Sequence, residues 1–258
     1  MTNSTVSLDV PADDSSNWSY IHDGVKKYLS VTMKTLHCFY SNDITDEKIQ
    51  RLTSLEVLIC QGCKNLTDAA FKNLTSLQTL NCSGCENLTD DAFKNLTSLK
   101  ALECNGCDKI TDNAIKHLTS LQTLECKGCK NLSNDAFKHL TSLQTLCCSF
   151  CDNISDDVFE HLTSLKALYC CFCKNIRGSG FKHLTSLQTL YCNNCDNLTD
   201  DTLEHLTSLK TLNCERCNNL TDNVFQYLTL KTVKMIECKS IKNIHIDPRS
   251  YKKITVDF

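Results

Sequence analysis

The chain has 258 residues, with 27 Lys and Arg against 30 Asp and Glu and a formal net charge of -3 at pH 7. That balance carries no basic excess, which argues against nucleic acid as a partner, and no apolar run approaches the roughly 18 residues a membrane span needs. Twenty cysteines are the compositional anomaly. In chain order, Met1 to Asp14 is polar and acidic without an apolar core, so no secretory signal is expected there. The cysteines are then expected as free thiols in the reducing cytoplasm, or the nucleus, rather than as a disulfide framework. Residues 1–29 read as a polar leader and an N-terminal cap helix, with Trp18, Ile21, Val25 and Leu29 on one helical face.

From Leu52 onward the sequence repeats every 22 residues, with new blocks at Leu74, Leu96, Leu118, Leu140, Leu162, Leu184 and Leu206. Two degenerate blocks flank these. One starts at Ser30 and keeps Met33, Leu36, Cys38, Ile44 and Ile49 in register; the other starts at Leu228 and keeps Leu230, Val233, Met235, Cys238 and Ile241. Residues 30–243 thus form the repeat region, and residues 244–258, ending in the alternation Ile254, Val256, Phe258, read as a C-terminal cap.

Within a block such as Leu74 to Asn95, positions 1, 4, 7, 9, 12, 15 and 20 are apolar. Positions 7 and 9 alternate with variable residues at 6, 8 and 10, the period of a short strand. Thr-Asp at positions 16 and 17 is a helix N-cap signal ahead of a short helical stretch. One such block cannot bury its own apolar edge, but a stack of them can. The expected fold is an α/β solenoid of about ten 22-residue repeats, a curved parallel sheet with short helical segments on the convex side.

The string L-x-x-L-x-C-x-x-C-x-x-L-T-D, as in Leu77 to Asp90, resembles the cysteine-containing leucine-rich repeats of F-box proteins, which choose substrates for ubiquitin ligases. The resemblance spans about Ser30 to Ile244. It departs from that family in placing Cys at position 9 (Cys60, Cys82, Cys104 and their equivalents), where an aliphatic residue is usual, and in its shorter period, which implies a trimmed outer helix. No F-box is readable upstream.

Cys82-x2-Cys85-x18-Cys104-x2-Cys107 fits a zinc-site spacing. The repeat accounts for it without metal, since both cysteines recur in eight successive blocks. Neighbouring parallel strands lie about 4.8 Å apart, so equivalent sulfurs form straight ladders that do not converge on one tetrahedral point. Position 12 sits beside a turn, where a thiol can bond to adjacent backbone. His117, His139, His161, His183 and His205 all occupy position 22, a polar column near the last carbonyls of the helical segment. The Asn-Leu-Thr strings, such as Asn65 to Thr67, match glycosylation acceptors but are by-products of the repeat.

Because the frame barely changes between blocks, the residues that do change carry the specificity. Position 11 is Gly62, Gly84, Gly106 and Gly128, then Phe150, Phe172, Asn194 and Arg216. Four blocks without Gly imply that the backbone does not demand a positive φ there. Phe150, Phe172, Tyr169 and Tyr191 should then share adjacent strands with Cys147 and Cys171 between them. Asn193, Asn194, Asn213, Glu215 and Arg216 should border the group. An apolar, aromatic centre with a polar rim is the composition of a binding hot spot. After Ile176, Arg177-Gly178-Ser179-Gly180 replaces the usual cap, and two glycines disfavour the outer helix, implying a looser edge.

No phosphate-binding glycine loop or catalytic pairing stands apart from the repeat, so neither enzymatic activity, a cofactor nor a metal is expected. A thiol or redox role for Cys147 and Cys171 has no adjacent cation to support it. The function read from the sequence is a monomeric protein-interaction scaffold that binds a protein on the C-terminal half of its concave face. The alternatives are a substrate-recognition subunit of an SCF-type ubiquitin ligase, as the family resemblance implies, or a host-directed effector of a virus or intracellular microbe.

Overall fold

The computed structural model describes residues 6–9, 33–226, 228, 232–236, 240 and 253–257. The cap helix expected over Trp18 to Leu29 and the cysteine at 238 lie outside the described residues. The chain divides into two compact units, Met1–Asn131 and Leu132–Phe258.

In the first unit, β1 (Val6–Asp9), β2 (Met33–His37), β3 (Val57–Ile59), β4 (Thr79–Asn81), β5 (Ala101–Glu103) and β6 (Thr123–Glu125) follow one another in parallel. In the second, β7 (Thr145–Cys147), β8 (Ala167–Tyr169), β9 (Thr189–Tyr191), β10 (Thr211–Asn213), β11 (Thr232–Ile236) and β12 (Lys253–Asp257) do the same. β1 lies inside the segment expected to be a polar leader, and β12 covers most of the final alternation. Equivalent repeat positions pair in register, as in Leu58 with Leu80 and Leu168 with Leu190.

In the repeats of β3 to β10 a three-residue strand is followed by a succession of four-residue turns. In the block from Leu52, Cys63 N–H bonds to Cys60 C=O at 3.1 Å, Leu66 to Cys63 at 3.2 Å and Ala70 to Thr67 at 3.1 Å. Leu74 to Phe71 at 3.1 Å and Leu77 to Leu74 at 3.0 Å then close the circuit into the next repeat. This explains the three-residue spacing of apolar positions 1, 4, 9, 12 and 15: each is a turn corner pointing inward. Leu74, Leu77, Leu80, Cys82, Cys85, Leu88, Ala92 and Phe93 are all 2% exposed or less. Each buried Leu or Phe side chain contributes about 1.5–3 kcal/mol by leaving water.

The outer segment is indeed trimmed to one turn. It is α-helical at Asp46–Ile49, Asp112–Ile115 and Asp200–Leu203, and 3-10 at Asp68–Phe71, Asp90–Ala92, Asn134–Ala136 and Asp156–Glu160. Such short 3-10 pieces are what this tight spacing permits. The Thr at position 16 caps its own turn, as Thr67 Oγ1 accepts from Ala69 N–H at 3.3 Å and Thr111 Oγ1 from Asn113 N–H at 3.3 Å.

Within each unit, three side-chain ladders tie a repeat to the one before. The position-12 thiol donates to the position-9 carbonyl one repeat back, as Cys85 to Cys60 O at 3.1 Å and Cys195 to Cys170 O at 3.2 Å. The position-14 amide donates to the position-13 carbonyl, as Asn87 to Lys64 O at 2.8 Å. The Asp at position 17 accepts two bonds from the next Thr, as Thr111 N–H and Oγ1–H to Asp90 at 2.7 and 2.6 Å. These ladders supply partners for polar groups that stacking takes out of water.

The Arg177 to Gly180 segment corrects the expectation of a loosened edge. Its cap is replaced by Asp156, which accepts from Gly178 N–H at 2.9 Å, from Arg177 N–H at 3.1 Å and from Ser179 Oγ–H at 3.0 Å. Gly178 has φ +90°, and a Cβ there would lie 2.5 Å from Thr202 Cβ. A Cβ on Gly180 would lie 2.3 Å from the Asp156 carbonyl oxygen. Both glycines are therefore imposed by close packing.

Candidate binding surface

The turn at positions 9 to 12 controls what each repeat shows beside its strand. The position-12 N–H closes on the position-9 carbonyl, for example Cys107 to Cys104 at 3.1 Å and Cys151 to Cys148 at 3.1 Å. A positive φ at the third residue of such a turn is the type II signature, which favours Gly or Asn. Position 11 has φ between 69° and 73° at Gly62, Gly84, Gly106 and Gly128. It also has φ 64° at Phe150, 61° at Phe172, and 58° at both Asn194 and Arg216. The inference that non-glycine residues here meant a relaxed backbone is thus overturned. The left-handed conformation is kept at position 11 of every repeat where that position is described, and each L side chain in it costs about 1–2 kcal/mol.

In the second unit that cost carries two aromatic rings. Phe150 and Phe172 are 43% and 39% exposed and stack with centroids 4.5 Å apart and planes 13° from parallel. Behind them, Cys147, Tyr169, Tyr191 and Asn213 end β7 to β10 and are successive register partners. The Tyr169 and Tyr191 rings lie 5.0 Å apart. Cys171 is half-buried next to Ser149, whose Oγ accepts its N–H at 3.2 Å, and burial pushes its thiol up rather than toward the reactive thiolate. Phe150 N–H bonds to Cys171 O, Phe172 N–H to Asn193 O and Asn194 N–H to Glu215 O, at 2.9 to 3.0 Å. Arg216 is exposed at the margin, whereas Asn213 is 6% exposed and lies beneath its neighbours. Asn193 Oδ1 and Asn213 Oδ1 are buried without a hydrogen-bond partner.

The position-9 thiols are a separate matter. Cys82, Cys104, Cys170 and Cys192 are fully buried, and their pKa values are driven well above the ordinary range, first by the contact with the position-12 thiol of the next repeat and then by burial. They are inert core groups. Among the described residues no three His, Cys, Asp or Glu side chains converge as a metal site would require. In the position-22 column, His117 Nε2 and Nδ1 sit 3.1 Å from Phe93 O and 3.2 Å from Asn113 O.

The first unit carries a feature that sequence reasoning did not single out. A groove of about 400 Å³ is lined by Tyr40, Gln61, Gly62, Lys64, Asn81, Ser83, Gly84, Glu86, Glu103 and Asn105. Tyr40 belongs to the degenerate first block. It occupies position 11 with φ 51° and is 59% exposed. Counting the register from Ser30 would have revealed it beside the four glycines.

Short in-register strands, turn-built outer segments and side-chain ladders define a leucine-rich-repeat solenoid. Residues 37–166 and 148–255 match the family described as the BspA type leucine rich repeat region, in six copies, and the chain belongs to that family. Among curated proteins none matches the sequence. Among solved structures, a chain of the mouse RP105/MD-1 complex is similar over 86% of this chain and 42% of its own length, with 18% identity and a TM-score of 0.64. This chain therefore spans less than half of that relative. A chain of the yeast Rad7 and Elc1 complex is similar over 95% of this chain and 88% of its own, with 16% identity and a TM-score of 0.50. At these identities the likeness is one of fold.

Proposed function

We propose that the chain is a non-enzymatic protein-interaction scaffold whose second unit receives a protein partner on the surface around Phe150 and Phe172. The observation that carries this reading is the pair of exposed, stacked phenylalanines held in left-handed backbone. The ring stack returns about 0.5–1.5 kcal/mol, less than two left-handed residues cost at about 1–2 kcal/mol each, and strained residues retained at a surface mark function. Tyr169 and Tyr191 extend the apolar area, and Asn194, Glu215 and Arg216 supply the polar rim expected around a hot spot. Both structural relatives are seen in complexes, RP105 with MD-1 and Rad7 with Elc1, which supports a binding role. A reducing compartment, the cytoplasm or nucleus, fits a chain in which position-12 thiols such as Cys85, Cys129, Cys173 and Cys217 are committed to a carbonyl.

The test uses the intact protein as bait, with Phe150→Gly/Phe172→Gly against a control changed at the exposed Lys138. Proteins retained by wild type and by the control should be lost from the double variant, whose circular dichroism stays native. Equal retention by all three baits removes the reading.

A further inference from the structure

The groove of the first unit has a chemistry of its own, unlike that of the aromatic patch. Its lining includes the main chain of Gly62 and Gly84, and Gly106 and Gly128 continue the same left-handed column beyond it. The second unit shows that the same backbone accepts Phe, Asn or Arg at this position. Packing within the unit does not forbid a side chain at Gly106 or Gly128 either, since a Cβ there would meet nothing within 4 Å. The open track is thus free volume above the turns.

At one end of the track the Tyr40 ring covers Gly62, where a Cβ would lie 2.3 Å from its Cδ1 and 2.5 Å from its Cε1. Gln61 Nε2 donates to the Tyr40 hydroxyl at 3.0 Å and holds the ring in place. On the strand side, Glu103 and Glu125 are register partners on β5 and β6, so two carboxylates face the same direction about 4.8 Å apart along the sheet. Like charges placed directly opposite are destabilising. Neither forms an ion pair among the described residues. Asn81 Nδ2 donates to Glu103 Oε2 at 2.5 Å and Asn105 Nδ2 to Glu125 Oε2 at 3.3 Å, leaving Oε1 of each unengaged. Burial, with the Glu125 charge behind it, holds the Glu103 carboxyl above the usual range, as expected of a site that lacks its counter-charge. The nearby Lys64 does not supply that charge, being paired with Glu86 at 3.1 Å.

We propose that this groove is a second binding site, for an extended protein segment bearing an arginine or lysine. The segment's main chain lies along Gly84, Gly106 and Gly128, beyond the ring that covers Gly62, and its cation sits against Glu103 and Glu125. Four strand spacings from Tyr40 to Gly128 make about 19 Å, the reach of about six extended residues. The Tyr40 face offers a second contact to such a segment, stacking on its peptide groups or on a further cation. This site is independent of the aromatic surface in the second unit and survives or fails without it.

The test is a heteronuclear NMR titration of the intact chain with acetyl-Gly-Gly-Arg-Gly-Gly-amide, against the same peptide carrying uncharged citrulline. The Gly84, Gly106 and Gly128 amide signals should shift with the arginine peptide at about millimolar concentration and about tenfold more weakly with the citrulline peptide. Glu103→Gln/Glu125→Gln should abolish the difference between the two peptides. Gly106→Phe, which fills the track as Phe150 does its own turn, should block both. No shift with the arginine peptide, equal shifts with the citrulline peptide, or an undiminished response in the Gln variant would overturn the proposal. So would identical shifts with spermidine, which would mark a site for a free cation rather than a protein segment.

Discussion

The two units answer the same two backbone positions with opposite chemistry. At position 8, register partners on adjacent strands are Glu103 and Glu125 in the first unit but Tyr169 and Tyr191 in the second. At position 11, the first unit leaves Gly106 and Gly128 bare, whereas the second places Phe150 and Phe172 on the same left-handed turn. The fold tolerates either choice because position 8 points away from the core and position 11 lies beyond the strand. The repeat therefore separates a fixed interior, where Leu, Cys and Phe columns scarcely vary, from two exterior columns that can be rewritten one repeat at a time.

The comparison breaks most visibly where one repeat has given up the common frame. Gly180 stands at position 19, where Ala70, Ala92, Ala114 and Ala136 pack without strain. Gly180→Ala should destabilise the protein by about 1–3 kcal/mol, the range for overpacking, because its Cβ would meet the Asp156 carbonyl at 2.3 Å. Chemical denaturation measures it, and an unchanged midpoint would mean that the segment is as loose as its sequence suggests. Of similar size is the effect of breaking the Asp ladder. Asp90→Ala removes two acceptors from Thr111 and should cost about 1.5–3 kcal/mol, the value of hydrogen bonds to a charged group. Asp90→Asn should cost less, since Asn134 performs the same task toward Ser155 in the second unit, accepting its N–H at 2.9 Å.

Position 11 gives a smaller and cleaner pair of effects. Gly106→Ala meets no neighbour, so its penalty is purely that of the left-handed backbone, about 1 kcal/mol. Phe150→Gly gains back a similar amount and loses the ring stack, about 0.5–1.5 kcal/mol, so stability should change by less than about 1 kcal/mol. A large loss from Phe150→Gly would show that the stack serves the fold rather than a partner.

The same position shows why the sequence disclosed the fold more fully than the site. Leucine and cysteine spacing fixes the frame because each apolar position is a turn corner, and a turn has one inward direction. Phe150 and Phe172 were correctly placed on the open side by register alone. Their backbone was misread because a penalty of about 1–2 kcal/mol is small enough to be carried by a repeat array, so residue identity under-reports conformation. Gly178 and Gly180 were misread for another reason: the atoms that require them, Asp156 O and Thr202 Cβ, lie in other repeats. The Tyr40 end of the groove is hard to see in the sequence because its block is degenerate and only its register marks position 11.

The smallest effect distinguishes the two position-8 pairs by pH. Glu103 has its carboxyl held above the ordinary value of 4.5, by burial first and by Glu125 second. A raised carboxylate pKa means the folded state holds its proton to higher pH than the unfolded chain does. That contribution is present below the unfolded pKa and is lost as pH rises through the folded value. Glu103→Gln should therefore melt slightly above wild type at pH 7, with the gap closing toward pH 4. A change at the tyrosine pair, Tyr191→Phe, removes no carboxylate and should leave the difference from wild type the same at pH 4 and pH 7. If Glu103→Gln melted below wild type at pH 7, the carboxylate would already be satisfied within the chain. The acidic pair would then stabilise its own unit, as the tyrosine pair does, and would have no charge left to offer a cationic segment.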